Sequence, residues 1–199
     1  MNTHTIADRE KHSARGGRWG RACLLGALLI APGGLARAQG GHAPKFHEYE
    51  VKAAFLLNFM QFVEWPNGAT NNHSATPLLI GVLGEDPFGA TLDETTKGET
   101  IHGRPLAIRR QRQIAELKDC QLIFVCRSEK TRLPEILGAV QGSAALTVSD
   151  IEQFCRHGGM IGLLNEGSKI RFEINQAAAE QSRLKISSKL LRLGRLTGK

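Results

Sequence analysis

Two short runs, PLLIGVLG (77–84) and CQLIFVC (120–126), contain almost nothing that seeks water. A strand with one wet face alternates apolar and polar residues, whereas a continuous apolar run bounded by turn residues needs cover on both faces. Each run is far shorter than the roughly 20 apolar residues of a membrane-spanning helix. Doubly covered strands belong to parallel sheets, whose strands are joined by crossover helices. That requirement directs the chain toward an α/β layer fold.

The intervening segments suit it. FGATLDETTKG (88–98) and PEILGAV (134–140) read as helices, QIAELKD (113–119) as a short helix or turn and IEQFC (151–155) as a helical turn. RPLAIRR (104–110) alternates like a half-exposed strand, and AALTVSD (144–150) is a further strand. After Gly158-Gly159 the rhythm changes: MIGLL and KIRFEI flank Asn165-Glu166-Gly167-Ser168, which reads as a hairpin. NQAAAEQSR follows as a helix with Asn175 as N-cap, then LKI and the basic amphipathic SSKLLRLGRL, read as a C-terminal helix. The expected fold is a single-domain α/β layered sandwich with a mainly parallel sheet and a late antiparallel hairpin.

The segment EYEVKAAFLLNFMQFVEWP (48–66) precedes the first apolar strand. Val51, Ala54, Phe55, Asn58, Phe59 and Phe62 recur at helical steps, with Glu50, Lys52, Gln61 and Glu64 elsewhere, and Pro66 stops the helix. The stripe reads as a core-packing face; a ligand-facing or membrane-inserting stripe is the rival.

Residues 1–38 read as a secretory signal peptide. A leader with Arg9, Lys11, Arg15, Arg18 and Arg21 precedes the apolar run Ala22–Leu35, and Ala36-Arg37-Ala38 supplies the cleavage pattern, with cleavage expected after Ala38. The mature domain is then 39–199, exported to the periplasm. The leader holds six of the 26 basic and two of the 19 acidic side chains, which leaves 20 against 17, a net charge of about +3. That is an ordinary soluble surface, and no partnership with nucleic acid follows from it.

The motifs of common chemistries are missing. GVLGEDPFG (81–89) has neither dinucleotide-site nor P-loop spacing, and Glu85 and Asp86 would repel a phosphate. His42, His47, His73, His102 and His157 show no metal-ligand spacing, and no G-x-S-x-G elbow occurs. No catalytic residue, metal or cofactor is assigned. Cys120, Cys126 and Cys155 are the disulfide or redox candidates. Cys120 and Cys126 end one strand about 20 Å apart, beyond bridging reach. Cys126 and Cys155 follow strand ends on one rim, so a bridge between them stands beside the alternative that all three are buried thiols. Lys185, Lys189, Arg192, Arg195 and Lys199 make the C-terminus cationic, while Leu184, Ile186, Leu190, Leu191 and Leu193 read as its sheet-packing face.

YEVKAAFLLNFMQFVEWP, GVLGEDPFG, CQLIFVCRSE, LTVSDIEQFCRHGGMIGLLNEGSKIRFEIN and LKISSKLLRL, in this order, resemble the YfiR/HmsC family of small secreted proteins. The resemblance implies a periplasmic, non-enzymatic α/β protein that represses an inner-membrane diguanylate cyclase through its periplasmic sensor domain. Cyclic di-GMP, exopolysaccharide and biofilm formation then fall. It further implies a homodimer, redox-sensitive disulfides and an outer-membrane lipoprotein that sequesters the repressor. Cys120 and Cys155 match family cysteines, but the family's partner positions fall near Gly81 and Gly162, where this chain has no thiol. Glu166 and Arg171 on the hairpin and Lys189 and Arg192 near the C-terminus are the partner-binding candidates. The alternative is a periplasmic small-molecule-binding protein with a pocket at the strand ends near Trp65 and Phe88.

Overall fold

The two apolar runs become adjacent strands at the centre of a sheet. The computed structural model describes residues 45–66 and 76–197. The leader 1–38 and its cleavage point lie outside these residues, as do His42, His73 and Lys199. In chain order the elements are α1 (Lys45–Phe62), β1 (Val63–Glu64), β2 (Leu78–Leu83), α2 (Ala90–Thr96), β3 (Thr100–Ile101) and β4 (Arg104–Gln111). There follow β5 (Leu122–Val125), α3 (Leu133–Val140), β6 (Leu146–Ser149), β7 (Ile161–Glu166) and β8 (Lys169–Asn175). The last are α4 (Gln176–Gln181), β9 (Lys185–Ile186), α5 (Ser188–Leu193) and β10 (Arg195–Thr197).

An eight-stranded sheet runs in the order β10-β8-β7-β6-β5-β2-β4-β3, while β1 and β9 form a separate antiparallel pair. Strands β4, β2, β5, β6 and β7 are mutually parallel; β7–β8 is the expected antiparallel hairpin, closed by the pair Glu166–Lys169. The α/β sandwich with a mainly parallel sheet and a late hairpin is therefore the observed fold.

A core lies on each face. Leu122 and Phe124 of β5 join Ile80, Val82, Leu146 and Val148 beneath α1 and α2. Ile123 and Val125 point the other way, toward Ile136 of α3, Leu117 and Phe154. All four residues of β5 are buried, as its unbroken apolar run requires, and so are all four of β6, whose Thr147 and Ser149 bond to backbone groups inside the fold. Aromatic contacts key α1 to the sheet: Phe59 meets Phe172 with ring centroids 5.2 Å apart, and Tyr49 meets Phe88 at 5.3 Å, which in turn meets Phe124 at 4.8 Å.

Two expectations change. The buried face of α1 is Lys52, Ala53, Leu56, Phe59 and Met60, whereas Ala54 and Asn58 of the expected stripe are exposed. The helical period holds, but the phase shifts, because Lys52 is neutralised by a partner inside the fold and so turns inward. The expected C-terminal helix ends at Leu193, and the chain crosses Gly194 into β10, which pairs parallel to β8. Gly194 permits the approach, because a Cβ there would lie 2.6 Å from the Phe172 ring.

Candidate functional site

In a doubly wound parallel sheet, ligands ordinarily enter at the carboxyl ends of the strands, where the order reverses. Here that point lies between β2 and β5, and the chain itself fills it. The Glu85 backbone N–H donates to Ser128 Oγ at 3.0 Å, and Gly84, at φ 100°, leaves the space that Ser128 and Glu129 occupy.

Farther along this rim, α1 seals the ends of β5 and β6. Lys52 Nζ, fully buried, donates to Asp150 Oδ2 at 2.6 Å and pairs with Glu48 one helical turn back. Tyr49 donates its hydroxyl to the same Asp150 oxygen at 2.9 Å, Arg127 Nε lies 3.2 Å from it, and Asn165 Nδ2 donates to Glu48 Oε1 at 2.9 Å. Asp150 Oδ1 is buried with no hydrogen-bond partner among the described residues. Burial by itself raises the Glu48 carboxyl, but the hydrogen bonds from Asn165 and Lys52 and the charges of Lys52 and Arg127 outweigh it, so the group sits below its ordinary value. Burial, then the Asp150 charge, push the Tyr49 hydroxyl upward. The arrangement is a lock: two carboxylates and two cations hold the helix to strand ends distant in sequence.

A second constellation lies at the other end of the sheet, where β10 is the edge strand. Leu193 is 67% exposed and Leu196 is 56% exposed, the two exposed large hydrophobics of the described chain. Leu193 was expected to pack on the sheet; Leu184 and Leu190 do so, whereas Leu193, the last residue of the short α5, projects into water. Glu166, Arg171, Leu193 and Arg195 surround a cleft of about 370 Å³, with an ion pair of 2.9 Å between Arg195 Nη2 and Glu166 Oε1. The sequence-based candidates Glu166 and Arg171 are thus neighbours. Lys189 and Arg192 are exposed on α5 outside that cleft, and Lys189 Nζ lies 5.1 Å from the Phe62 ring centroid. Leu193, Arg195 and Leu196 were missed as a surface because the basic helix pattern concealed the break at Gly194.

The three candidate cysteines are free and buried. Cys126 belongs to the core beneath α1, whereas Cys155 follows Phe154, which packs on the opposite face; no bridge joins Cys126 to Cys155. Instead, a Cβ at Gly81 would lie 3.1 Å from Cys120 Sγ, whereas a Cβ at Gly162 would meet the Glu173 side chain at 3.0 Å, and Cys155 Sγ donates to Met160 O and Glu173 O at 3.6 Å. Cys120 thus sits against the position at which the resemblance puts its partner. Burial, with help from the Asp119 charge, pushes the Cys120 thiol up to about 11. Burial, then Glu173, pushes Cys155 up to about 12; Cys126 is also raised, by burial and then by Asp86.

Trp65 is buried, with Nε1 donating 3.1 Å to Gln121 O at the entry to β5; Phe88 is buried over its exit half. They belong to one core, and neither is among the residues lining the clefts of about 620, 440 and 370 Å³. No group of three or more His, Cys, Asp or Glu suited to a metal occurs among the described residues, and no described helix is long and apolar enough to cross a membrane.

Residues 49–195 match the family model described as DUF4154: YfiR/HmsC-like. No curated protein matches the chain. A crystal structure of a conserved domain protein from Vibrio cholerae O1 biovar El Tor is similar in fold, with TM-score 0.52 at 12% identity over 75% of this chain and 60% of that one. An ABC domain from Streptococcus pneumoniae, solved with L-Trp, aligns with TM-score 0.44 and 12% identity over 60% of this chain and 56% of that one. The chain thus spans less than two thirds of either solved protein.

Proposed function

The chain belongs to the YfiR/HmsC-like family, which supports a periplasmic regulator of cyclic di-GMP signalling in general, and from that premise we propose that it represses an inner-membrane diguanylate cyclase by binding the cyclase's periplasmic region. The observation that carries this reading is the family match across 49–195, essentially the whole mature domain.

The chemistry asked of a repressor is modest. It must bind the inactive arrangement of the cyclase better than the active one, and reversing a 1:99 balance needs about 5.5 kcal/mol of such preference. The surface around Leu193 and Leu196 suits such binding, because two exposed leucines stand beside Arg171, Arg195 and Glu166 at a sheet edge, where a partner strand can add. Export past the leader 1–38, a homodimer as the working assembly and relief through sequestration by an outer-membrane lipoprotein complete the proposal. The redox control implied by the resemblance is not part of it, because Gly81 and Gly162 stand where the resemblance puts the partners of Cys120 and Cys155.

The test is cellular cyclic di-GMP in a deletion strain complemented with wild type, with a version lacking 1–38, and with Leu193→Ser/Leu196→Ser. A rise on deletion that only the exported wild type reverses supports the reading. An unchanged level in every strain overturns it, and full rescue by the double serine variant removes the leucine surface from the interface.

A further inference from the structure

We propose that the cleft framed by α3, α4 and the starts of β6 and β7 is a binding site for a small, uncharged amphipathic molecule. Its volume is about 620 Å³, inside the range of roughly 300–1,000 Å³ typical of small-molecule sites. This inference is independent of the regulatory reading, and the site is distinct from the sealed carboxyl rim, from Trp65 and Phe88, and from the leucine surface.

The cleft exists because the residues framing it are too small to fill it. Gly138 faces it from α3, with nothing within 4 Å of the place a Cβ would take, and Gly158, Ala177 and Ala178 frame the other side. Buried Val140 and Met160 form an apolar floor. Of the three buried polar side chains lining the cleft, Thr147, Asn175 and Ser182, the first two are already engaged. Thr147 Oγ1 accepts from the Met160 backbone N–H at 3.1 Å; Asn175 accepts from the Ala178 N–H at 3.1 Å and donates to Cys155 O at 3.1 Å. A guest therefore meets the floor with its apolar body and has nothing to disrupt there.

The mouth is different. Gln141, Gln181 and His157 are exposed, and their side chains make no hydrogen bond among the described residues. Two neutral amides and an imidazole offer both donors and acceptors to the polar end of a guest. Although 23% of the chain is charged, no Asp, Glu, Lys or Arg lines the cleft. A charged guest would lose hydration without gaining an ion-pair partner, which selects for a neutral one.

The test uses the exported protein and N-phenyl-1-naphthylamine, an uncharged dye whose fluorescence rises in apolar surroundings. Wild type should bind it saturably with one site per chain. Gly138→Leu should weaken binding at least tenfold without lowering the melting temperature, because leucine favours the helix and its side chain enters open space. Leu193→Ser/Leu196→Ser should bind as wild type does. No saturable signal from wild type, binding unaltered by Gly138→Leu, or a signal abolished by the double serine variant instead would each overturn the proposal. So would a change of oligomeric state on Gly138→Leu, since the cleft would then be a contact between copies.

Discussion

Lys52 is the residue whose environment departs most from what its type suggests. Its ammonium has no exposed surface and lies between Glu48 and Asp150. Removing one member of a buried pair leaves the other charge uncompensated, at a cost of about 3–5 kcal/mol. Lys52→Met should therefore destabilise by that amount in denaturant unfolding, and adding Asp150→Leu should recover a large part of it. Glu48 carries the acid sensitivity. Its folded value is lowered, so its contribution is present above the ordinary carboxylate range and is lost as pH falls through the folded value. Glu48→Gln should flatten the acid limb of a stability–pH profile. At Cys120 the sign is opposite: folding favours the neutral thiol, so its contribution is lost as pH rises from about 9 to about 11, and Cys120→Ala should make the alkaline decline shallower while the raised Cys126 and Cys155 keep the rest. Gly81 adds a constructive test. With its Cβ position 3.1 Å from Cys120 Sγ, Gly81→Cys is placed to form a bridge, which intact mass would show as the loss of two hydrogens. Closing a loop of about 40 residues should stabilise by up to about 4 kcal/mol, less what repacking Leu117 costs.

At the scale of elements, α1 couples the rim lock to the core. Phe59 is fully buried and stacks near Phe55 and Phe172, so Phe59→Ala should cost about 3–5 kcal/mol in urea unfolding, comparable to breaking the lock. The central strands were legible because an apolar run has one physical solution, cover on both faces. The hairpin was legible from its turn residues, and the cap of α4 from Asn175, whose side chain accepts from Ala178 N. The buried face of α1 was not, because sequence distinguishes a lysine in water from a lysine beside Asp150 only if the 98-residue separation between them is already folded away. The end of α5 was hidden for a similar reason: Gly194 is read as a break only when Phe172 is known to press against it.

For the whole molecule, the carboxyl rim is closed by α1, Ser128 and Glu129, while the opposite rim has the neutral cleft and the β10 edge bears the leucines. A binding protein can use two such regions independently. Leu193→Ser/Leu196→Ser should leave stability within about 0.5 kcal/mol, since exposed positions contribute little to folding. If the surface meets the cyclase, the same variant should raise cellular cyclic di-GMP toward the level of the deletion strain, which separates an interface from a folding defect.

The layer architecture, the hairpin and the family are written in the chain itself, because all three reside in local patterns: unbroken apolar runs, turn residues and ordered motifs. Only the folded chain shows that Lys52 is buried, that Cys120 lies against Gly81, where the C-terminal leucines emerge and that Gly138, Ala177 and Ala178 border one cleft. Each of these depends on what a residue meets across the fold, and the free energy of a buried charge or an empty space is set by that neighbour rather than by the residues on either side.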